Sequence, residues 1–296
     1  MKVIVLMSTY NGEKYLVEQI KSIERQENIE VELFIRDDGS VDNTKEILNE
    51  LGYTYENGTN IGYINSFMWL IKNAPDADYY ALSDQDDVWD RDKLICAIEE
   101  LQRKEIKNQP CMYTGNTRLV DSNLQFITNE EKNPIVSLGS VMTKNFATGC
   151  TIVFNKKLKQ LISNVSWTYI SSHDSLLARV CLAVGGVVIF DNKPHMSYRQ
   201  HGKNTIGAST KGIYRIKKRI NKIFNDHSHS RSRMAGELLD NCSSMMSKDR
   251  IDLLKEYRDY GKSLKNTIVI LTDSRIKCGN KKDDILFKFA ILARWV

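Results

Sequence analysis

The sequence of 296 residues is poor in proline, with only four and none beyond Pro194. That absence leaves the last third free to run in long helices. No stretch reaches the ~18 uninterrupted apolar residues that a membrane-spanning helix needs. The longest apolar run, Leu176 to Phe190, is broken by Arg179 and by Gly185-Gly186. No export leader is expected either, because Met1-Lys2 is followed only by the short run Val3-Ile4-Val5-Leu6-Met7. The six cysteines lie far apart without a CxxC pair, so neither a zinc-site spacing nor a compact disulfide framework is present. Reduced thiols and a cytoplasmic location are the expectation. GxGxxG, GxxxxGKS/T and GxSxG are all missing, which removes a dinucleotide fingerprint, a P-loop and a serine nucleophile elbow.

What is present is charge, unevenly distributed. The chain holds 42 Lys+Arg and 37 Asp+Glu, a net charge of +5. Residues 201–296 hold 21 basic and 10 acidic groups, so the first 200 residues are net acidic while the last third is net basic. A uniform nucleic-acid binder would not be divided in this way, and two parts with different partners are implied.

The first hundred residues alternate between apolar strands and amphipathic helices. Strands are expected at Val3–Met7, Val31–Ile35, Tyr53–Tyr55 and Tyr79–Leu82. Helices are expected over Glu13–Gln26, after an Asp42 or Asn43 cap, over Ile64–Ile71 and over Arg91–Arg103. Residues 111–153 read as further strands with long loops. Helices near Lys156–Ile162 and Asp174–Ala183 and a strand at Val187–Phe190 follow. Such repetition implies an α/β fold with a mostly parallel sheet covered on both faces. Ligands of such sheets bind outside the carboxyl ends of the strands.

Three carboxylate-bearing segments fall at those ends. Asp37-Asp38-Gly39-Ser40 can accept from a nucleobase or a ribose, or can simply form a turn that caps a helix. Asp84-Gln85-Asp86-Asp87 gathers three mutually repelling carboxylates, and a hard divalent cation with substrate phosphates relieves that repulsion. Ser171-Ser172-His173-Asp174 opens a helix, where a carboxylate is favoured by the dipole or serves as a general base.

Seven motifs recur in order: Ser8-Thr9-Tyr10-Asn11-Gly12, Arg36-Asp37-Asp38-Gly39-Ser40, Asn60-Ile61-Gly62, Ser83-Asp84-Gln85-Asp86-Asp87-Val88-Trp89, Thr148-Gly149-Cys150, His173-Asp174, and Tyr198-Arg199-Gln200-His201-Gly202-Lys203-Asn204. Together they resemble glycosyltransferase family 2, in particular its bacterial rhamnosyltransferases of cell-wall and capsular polysaccharide synthesis. The resemblance implies a GT-A fold. Its catalytic domain would span residues 1–207, and residues 208–296 would form a basic, mainly helical extension making acceptor, membrane-surface or dimer contacts.

Residue by residue, the resemblance gives Thr9, Tyr10, Asn11, Asn60 and Gly62 to the nucleotide-side loops. It gives Asp37 or Asp38 to reading of the pyrimidine. Asp84 and Asp86 match the DxD motif, with Asp86 and His201 toward Mn²⁺ or Mg²⁺, and Arg199 and Asn204 belong to a loop closing over the diphosphate. Asp174 matches the base of inverting members. Asp87, Trp89, Gly149, Cys150 and His173 border the acceptor or donor sugar or stand behind the metal site. The implied donor is dTDP-rhamnose, with a UDP-sugar as the alternative, and the implied acceptor is a saccharide or a lipid-linked saccharide. A sugar nucleotidyltransferase would share the sheet and the carboxylates, but the basic glycine-rich loop that grips a triphosphate is not seen after Met7. A non-catalytic carbohydrate-binding protein at a membrane surface is the other alternative.

Outside these motifs, His195 reads as a structural histidine and Phe67 and Trp69 as core. The Lys217-Lys218-Arg219 cluster reads either as a solvated helix face or as an attraction to anionic lipid. The last twelve residues suit an interfacial helix, a homodimer seam or a helix docked on the catalytic part.

Overall fold

The computed structural model describes residues 1–104, 108–201 and 229–293. Eleven strands are found among them: β1 Lys2–Thr9, β2 Glu30–Asp37, β3 Tyr55–Asn57, β4 Tyr79–Ser83, β5 Val88–Trp89, β6 Cys111–Gly115, β7 Arg118–Val120, β8 Phe126–Asn129, β9 Val153–Asn155, β10 Val187–Asp191 and β11 Met196–Arg199. The helices are α1 Leu16–Glu24, α2 Thr44–Glu50, α3 Tyr63–Asn73, α4 Lys93–Lys104, α5 Leu138–Thr143, α6 Lys156–Ser163, α7 His173–Ala183, α8 Ser230–Cys242, α9 Lys248–Asp259, α10 Leu264–Thr272 and α11 Lys281–Leu292.

The central seven-stranded sheet has the order β10-β6-β9-β4-β1-β2-β3. All its pairings are parallel except those of β9 with β4 and β6. Alternation along β1 shows why it lies in the middle: Ile4 and Leu6 enter one apolar cluster, and Val3, Val5 and Met7 enter the other. Both faces of the sheet are therefore covered, as its continuous apolar strands require. A smaller sheet of order β5-β11-β7-β8 stands beside it. Parallel register aligns Thr9 with Asp37 and Met7 with Ser83, so three of the motif-bearing loops leave the sheet at one edge.

Two local departures from the sequence reading have identifiable causes. The third strand starts at Tyr55, because Tyr53 is held in the exit turn of α2, its N–H donating to Leu48 O at 3.0 Å. The segment 111–153 also contains a buried helix, α5, capped where Ser137 Oγ accepts from Ser140 N at 3.1 Å. Its residues are buried on every side, so no amphipathic pattern announces it. The cap before α2 is shared: Asn43 occupies the position but its side chain donates to Glu13 and not to the helix, and Asp42 Oδ1 accepts from Thr44 N at 3.1 Å.

Helices α8–α11 contribute Met234, Leu238, Leu254, Tyr257 and Ile291 to the same apolar cluster that holds Ile4 and Leu6. Polar contacts reinforce this: Tyr257 Oη donates to Gly139 O at 2.9 Å, and Arg231 Nη2 donates to Thr143 O at 2.8 Å. The boundary expected at 207/208 lies outside the described residues, as do Asn204 and the Lys217-Lys218-Arg219 cluster.

Candidate active site

At the carboxyl edge of the sheet, the loop after β1 is braced by Gln85. Thr9 Oγ1 donates to Gln85 Oε1 at 2.6 Å, Tyr10 N donates to the same oxygen at 2.8 Å, and Gln85 Nε2 donates to Tyr10 O at 3.0 Å. Gly12 leaves room for this brace, since a Cβ there would lie 2.3 Å from Gln85 Oε1. Asn11 N donates to Ser40 Oγ, and Asn11 Oδ1 accepts from Val41 N, both at 2.9 Å, tying the first loop to the second. Tyr10 is left half exposed at the mouth of the site.

Asp37 and Asp38 are both buried. Asp37 accepts from the backbone N and the hydroxyl of Ser40. Asp38 is ion-paired with Arg36 and accepts from Ile61 N and Gly62 N, each at 3.0 Å. Asn60 Oδ1 also accepts from Gly62 N. Gly62 sits at φ +81°, a left-handed conformation that suits glycine. These two carboxylates thus shape the loops that converge on the site, and each already holds protein donors.

The acidic turn after β4 is the electrostatic centre. Burial, Asp86 and Asp174 push the Asp84 carboxyl up to about 7. Burial, Asp86 and Asp84 raise Asp87 well above the carboxylate range. Asp174 therefore lies close enough to Asp84 to repel it, although the two are 90 positions apart in sequence. Asp86 Oδ2 lies 2.7 Å from His201 Nε2, and the His201 ring rests near Tyr15 at 5.1 Å between centroids. Asp174 occupies the first turn of α7, where its Oδ2 accepts from Asn145 Nδ2 at 3.1 Å. This leaves a carboxylate at a helix N-terminus facing a cluster of acids.

A divalent cation suits this donor set. Asp84 and Asp86 offer hard oxygen ligands and His201 offers a nitrogen, and a positive charge would relieve the repulsion that raises Asp84. Asp86 and His201 are in direct contact, whereas the group of three whose ligand atoms lie within 4.8 Å of one another at this turn, among the described residues, is a carboxylate oxygen each from Asp84 and Asp87 with Cys150 Sγ. Cys150 and Asp87 are buried, and burial holds the Cys150 thiol well above its usual range. Asp87 and Cys150 fit a protonated layer under the turn better than ligands for Mg²⁺ or Mn²⁺, which leaves Asp84 as the member of that group suited to the cation.

Several residues expected to face ligands turn inward. Arg199, expected over the diphosphate, is 1% exposed. Its Nε donates to Asp86 O and its Nη1 to Ser122 O, both at 2.8 Å, while Nη2 donates to Glu18 Oε2 at 2.5 Å. The guanidinium also lies 4.4 Å from the centre of the Tyr15 ring. Arg199 is a brace beneath the acidic turn, and its backbone N donates to Asp87 Oδ1 at 3.2 Å. Trp89, expected beside the donor pocket, is buried in the core with Lys93 Nζ 3.5 Å from its ring centre. Cys150 and Asp87 are buried too, and for Asp87 this is the position behind the metal site that the motifs left open. His173 stacks on Phe67 at 4.3 Å, with both ring nitrogens buried and unpartnered, and a Cβ at Gly149 would lie 3.0 Å from its Nε2. Burial lowers the His173 pKa and keeps it neutral. His195, away from this site, hydrogen-bonds Asp92 through Nδ1 at 3.1 Å.

Gln85 and Arg36 stand inside the motifs without a role read from them, and Asn145 and Lys93 lie outside the motifs. Lys93 is the most unexpected: it is fully buried without a hydrogen-bond partner, and burial lowers its pKa to about 7. The signal that could have found it is its position four residues after Trp89, which places its amine over the indole ring.

Comparison with known proteins places this geometry in context. The profile described as Glycosyl transferase family 2 matches residues 4–137. A Shigella flexneri protein described as dTDP-rhamnosyl transferase RfbG is 32% identical over 225 residues, spanning 69% of this chain and 74% of that protein. Among solved structures, S. aureus TarS 1–349 in complex with UDP-GlcNAc aligns with a TM-score of 0.59 at 16% identity, covering 100% of this chain and 82% of that one. Mannosyltransferase PcManGT from Pyrobaculum calidifontis, in complex with GDP-Man and Mn²⁺, aligns at 0.51 and 15% identity, covering 99% and 86%. At these identities the structural likeness is one of fold, and the fold is the GT-A arrangement that the motifs implied.

Proposed function

Since the chain belongs to glycosyl transferase family 2, we propose that it transfers L-rhamnose from dTDP-rhamnose, with inversion at C1, to a hydroxyl of a saccharide or lipid-linked saccharide. The donor assignment is supported by the relative described as a dTDP-rhamnosyl transferase, aligned over 225 residues. The chemistry is supported above all by one placement: Asp174 stands in the first turn of α7 with Asn145 Nδ2 donating to its Oδ2 at 3.1 Å, near enough to Asp84 to help push that carboxyl up.

In this reading Asp174 accepts the proton of the acceptor hydroxyl as its oxygen bonds to C1. The bond from C1 to the diphosphate oxygen breaks, and dTDP leaves with the electron pair. Asn145, donating to Asp174 Oδ2, orients the base. Asp84, Asp86 and His201 would hold Mn²⁺ or Mg²⁺, which supplies positive charge to the leaving diphosphate. Gln85 keeps the Thr9–Gly12 loop against the acidic turn, so that nucleotide and metal sites form together. Tyr10, Asn11, Asn60 and Gly62 border the nucleotide.

A UDP-hexose donor is the second reading, because TarS, of the same fold, is described in complex with UDP-GlcNAc. Thermal unfolding with a panel of nucleotide sugars and Mn²⁺ separates the two, since a specific donor stabilises the fold by mass action. Stabilisation by dTDP-rhamnose above UDP-hexoses, together with dTDP release that requires acceptor and stops on chelation, is the expected result. A preference for UDP-sugars would transfer the assignment to the second reading.

A further inference from the structure

We propose that α10 and α11 form a surface that inserts into an anionic lipid bilayer. No helix among the described residues is long and apolar enough to cross a membrane, so the contact is one of insertion at the interface.

The observation is a helix apolar on two opposite faces. On α11, Phe287, Ala290 and Ile291 are buried against the rest of the protein. Ile285, Phe289 and Leu292, spaced four and three residues apart, share another face and are 68%, 51% and 63% exposed. The neighbouring α10 also exposes large apolar side chains: Leu264 and Ile268 are 78% and 60% exposed, while Thr267 and Ile270 are buried. An ordinary surface helix has no second apolar stripe, and large side chains clustered in this way mark a contact surface.

The charges select the partner. The acids of α11 face the protein: Asp283 is paired with Lys144 at 2.9 Å, and Asp284 Oδ1 accepts from Cys278 N at 2.7 Å. Its bases do not: Lys281, Lys282 and Lys288 are exposed and make no ion pair among the described residues. An apolar stripe rimmed by lysines alone complements acyl chains under anionic headgroups. A second copy docked through the same face would bring lysine against lysine.

Flotation of the full chain with vesicles tests this without reference to catalysis, so its failure and that of the donor reading are distinguishable. Vesicles of phosphatidylcholine with phosphatidylglycerol should bind the protein, and phosphatidylcholine alone should bind it much less. Ile285→Ser with Phe289→Ser should lower binding at least tenfold with an unchanged melting temperature. Because those serines could loosen α11, Lys281→Gln with Lys282→Gln is the second variant. Each lysine removed should weaken binding about fivefold. Two results overturn the proposal: binding unaffected by either pair, or a dimer in sedimentation velocity that the serine pair abolishes while vesicle binding is absent.

Discussion

His201 Nε2 and Asp86 Oδ2 lie 2.7 Å apart, joining the end of the smaller sheet to the turn after the central strand β4. The contact brings a nitrogen and an oxygen donor together across 115 positions of sequence. Asp86→Ala and His201→Ala should each weaken metal-dependent nucleotide binding, by on the order of tenfold or more. Calorimetry with dTDP in the presence and absence of Mn²⁺ reads this directly. Equal affinity with and without the ion, in the parent and in both variants, would remove these residues from a metal site.

Asp174 offers a cleaner separation of binding from chemistry. Asp174→Asn keeps the size of the side chain and its place at the start of α7, but removes the proton acceptor. Transfer should fall by ~10²–10⁴, the usual contribution of a positioned general base. Donor affinity should stay close to that of the parent, because the proposed role sets Asp174 on the acceptor side. Near-normal turnover would assign the proton to another group. A parallel collapse of donor affinity would instead make Asp174 a donor ligand.

The gathering of Asp37, Asp38 and the Asp84–Asp87 turn was legible in the sequence because the motifs place acids at strand ends, and parallel register brings the ends of β1, β2 and β4 together. What was not legible was the direction in which each side chain points. Arg199 and Trp89 lie in the same motifs as His201 and Asp86, yet both turn into the protein. Nothing local distinguishes them; the difference lies in partners such as Glu18 and Ser122, which are remote in sequence. Gln85 was hidden for the same reason, since its value depends on meeting Thr9 and Tyr10 from across the sheet. The short helix α5 was missed because its residues are buried on all sides and leave no periodic signal.

The inward position of Arg199 carries its own prediction. Among the described residues its guanidinium donates to two carbonyls and one carboxylate, and the partners Ser122 and Glu18 lie outside the acidic turn. Arg199→Met leaves those acceptors without their charged donor and should lower unfolding stability by about 2–4 kcal/mol. Arg199→Lys restores the charge but not the planar fork, and should recover only part of the loss. Denaturant unfolding of both variants measures the effect. If Arg199→Met were as stable as the parent but failed to bind donor, Arg199 would be a diphosphate ligand that turns outward.

Helix α9 carries a further titratable group with a shifted pKa, Glu256. Burial, Asp273 and Asp252 raise the Glu256 carboxyl to about 7, against the opposing pull of Arg275, whose Nη2 lies 2.8 Å from Glu256 Oε1. A carboxyl with a raised native pKa binds its proton more tightly in the folded state than in the unfolded state. Its contribution to stability is therefore full below about 4.5 and is lost as pH rises through about 7. Glu256→Gln cannot ionise, so it should melt close to the parent at pH 5 and above it at pH 8. The gap should open between those values. Melting curves across that range would check it, and a gap independent of pH would show that Glu256 is ionised throughout, held so by Arg275.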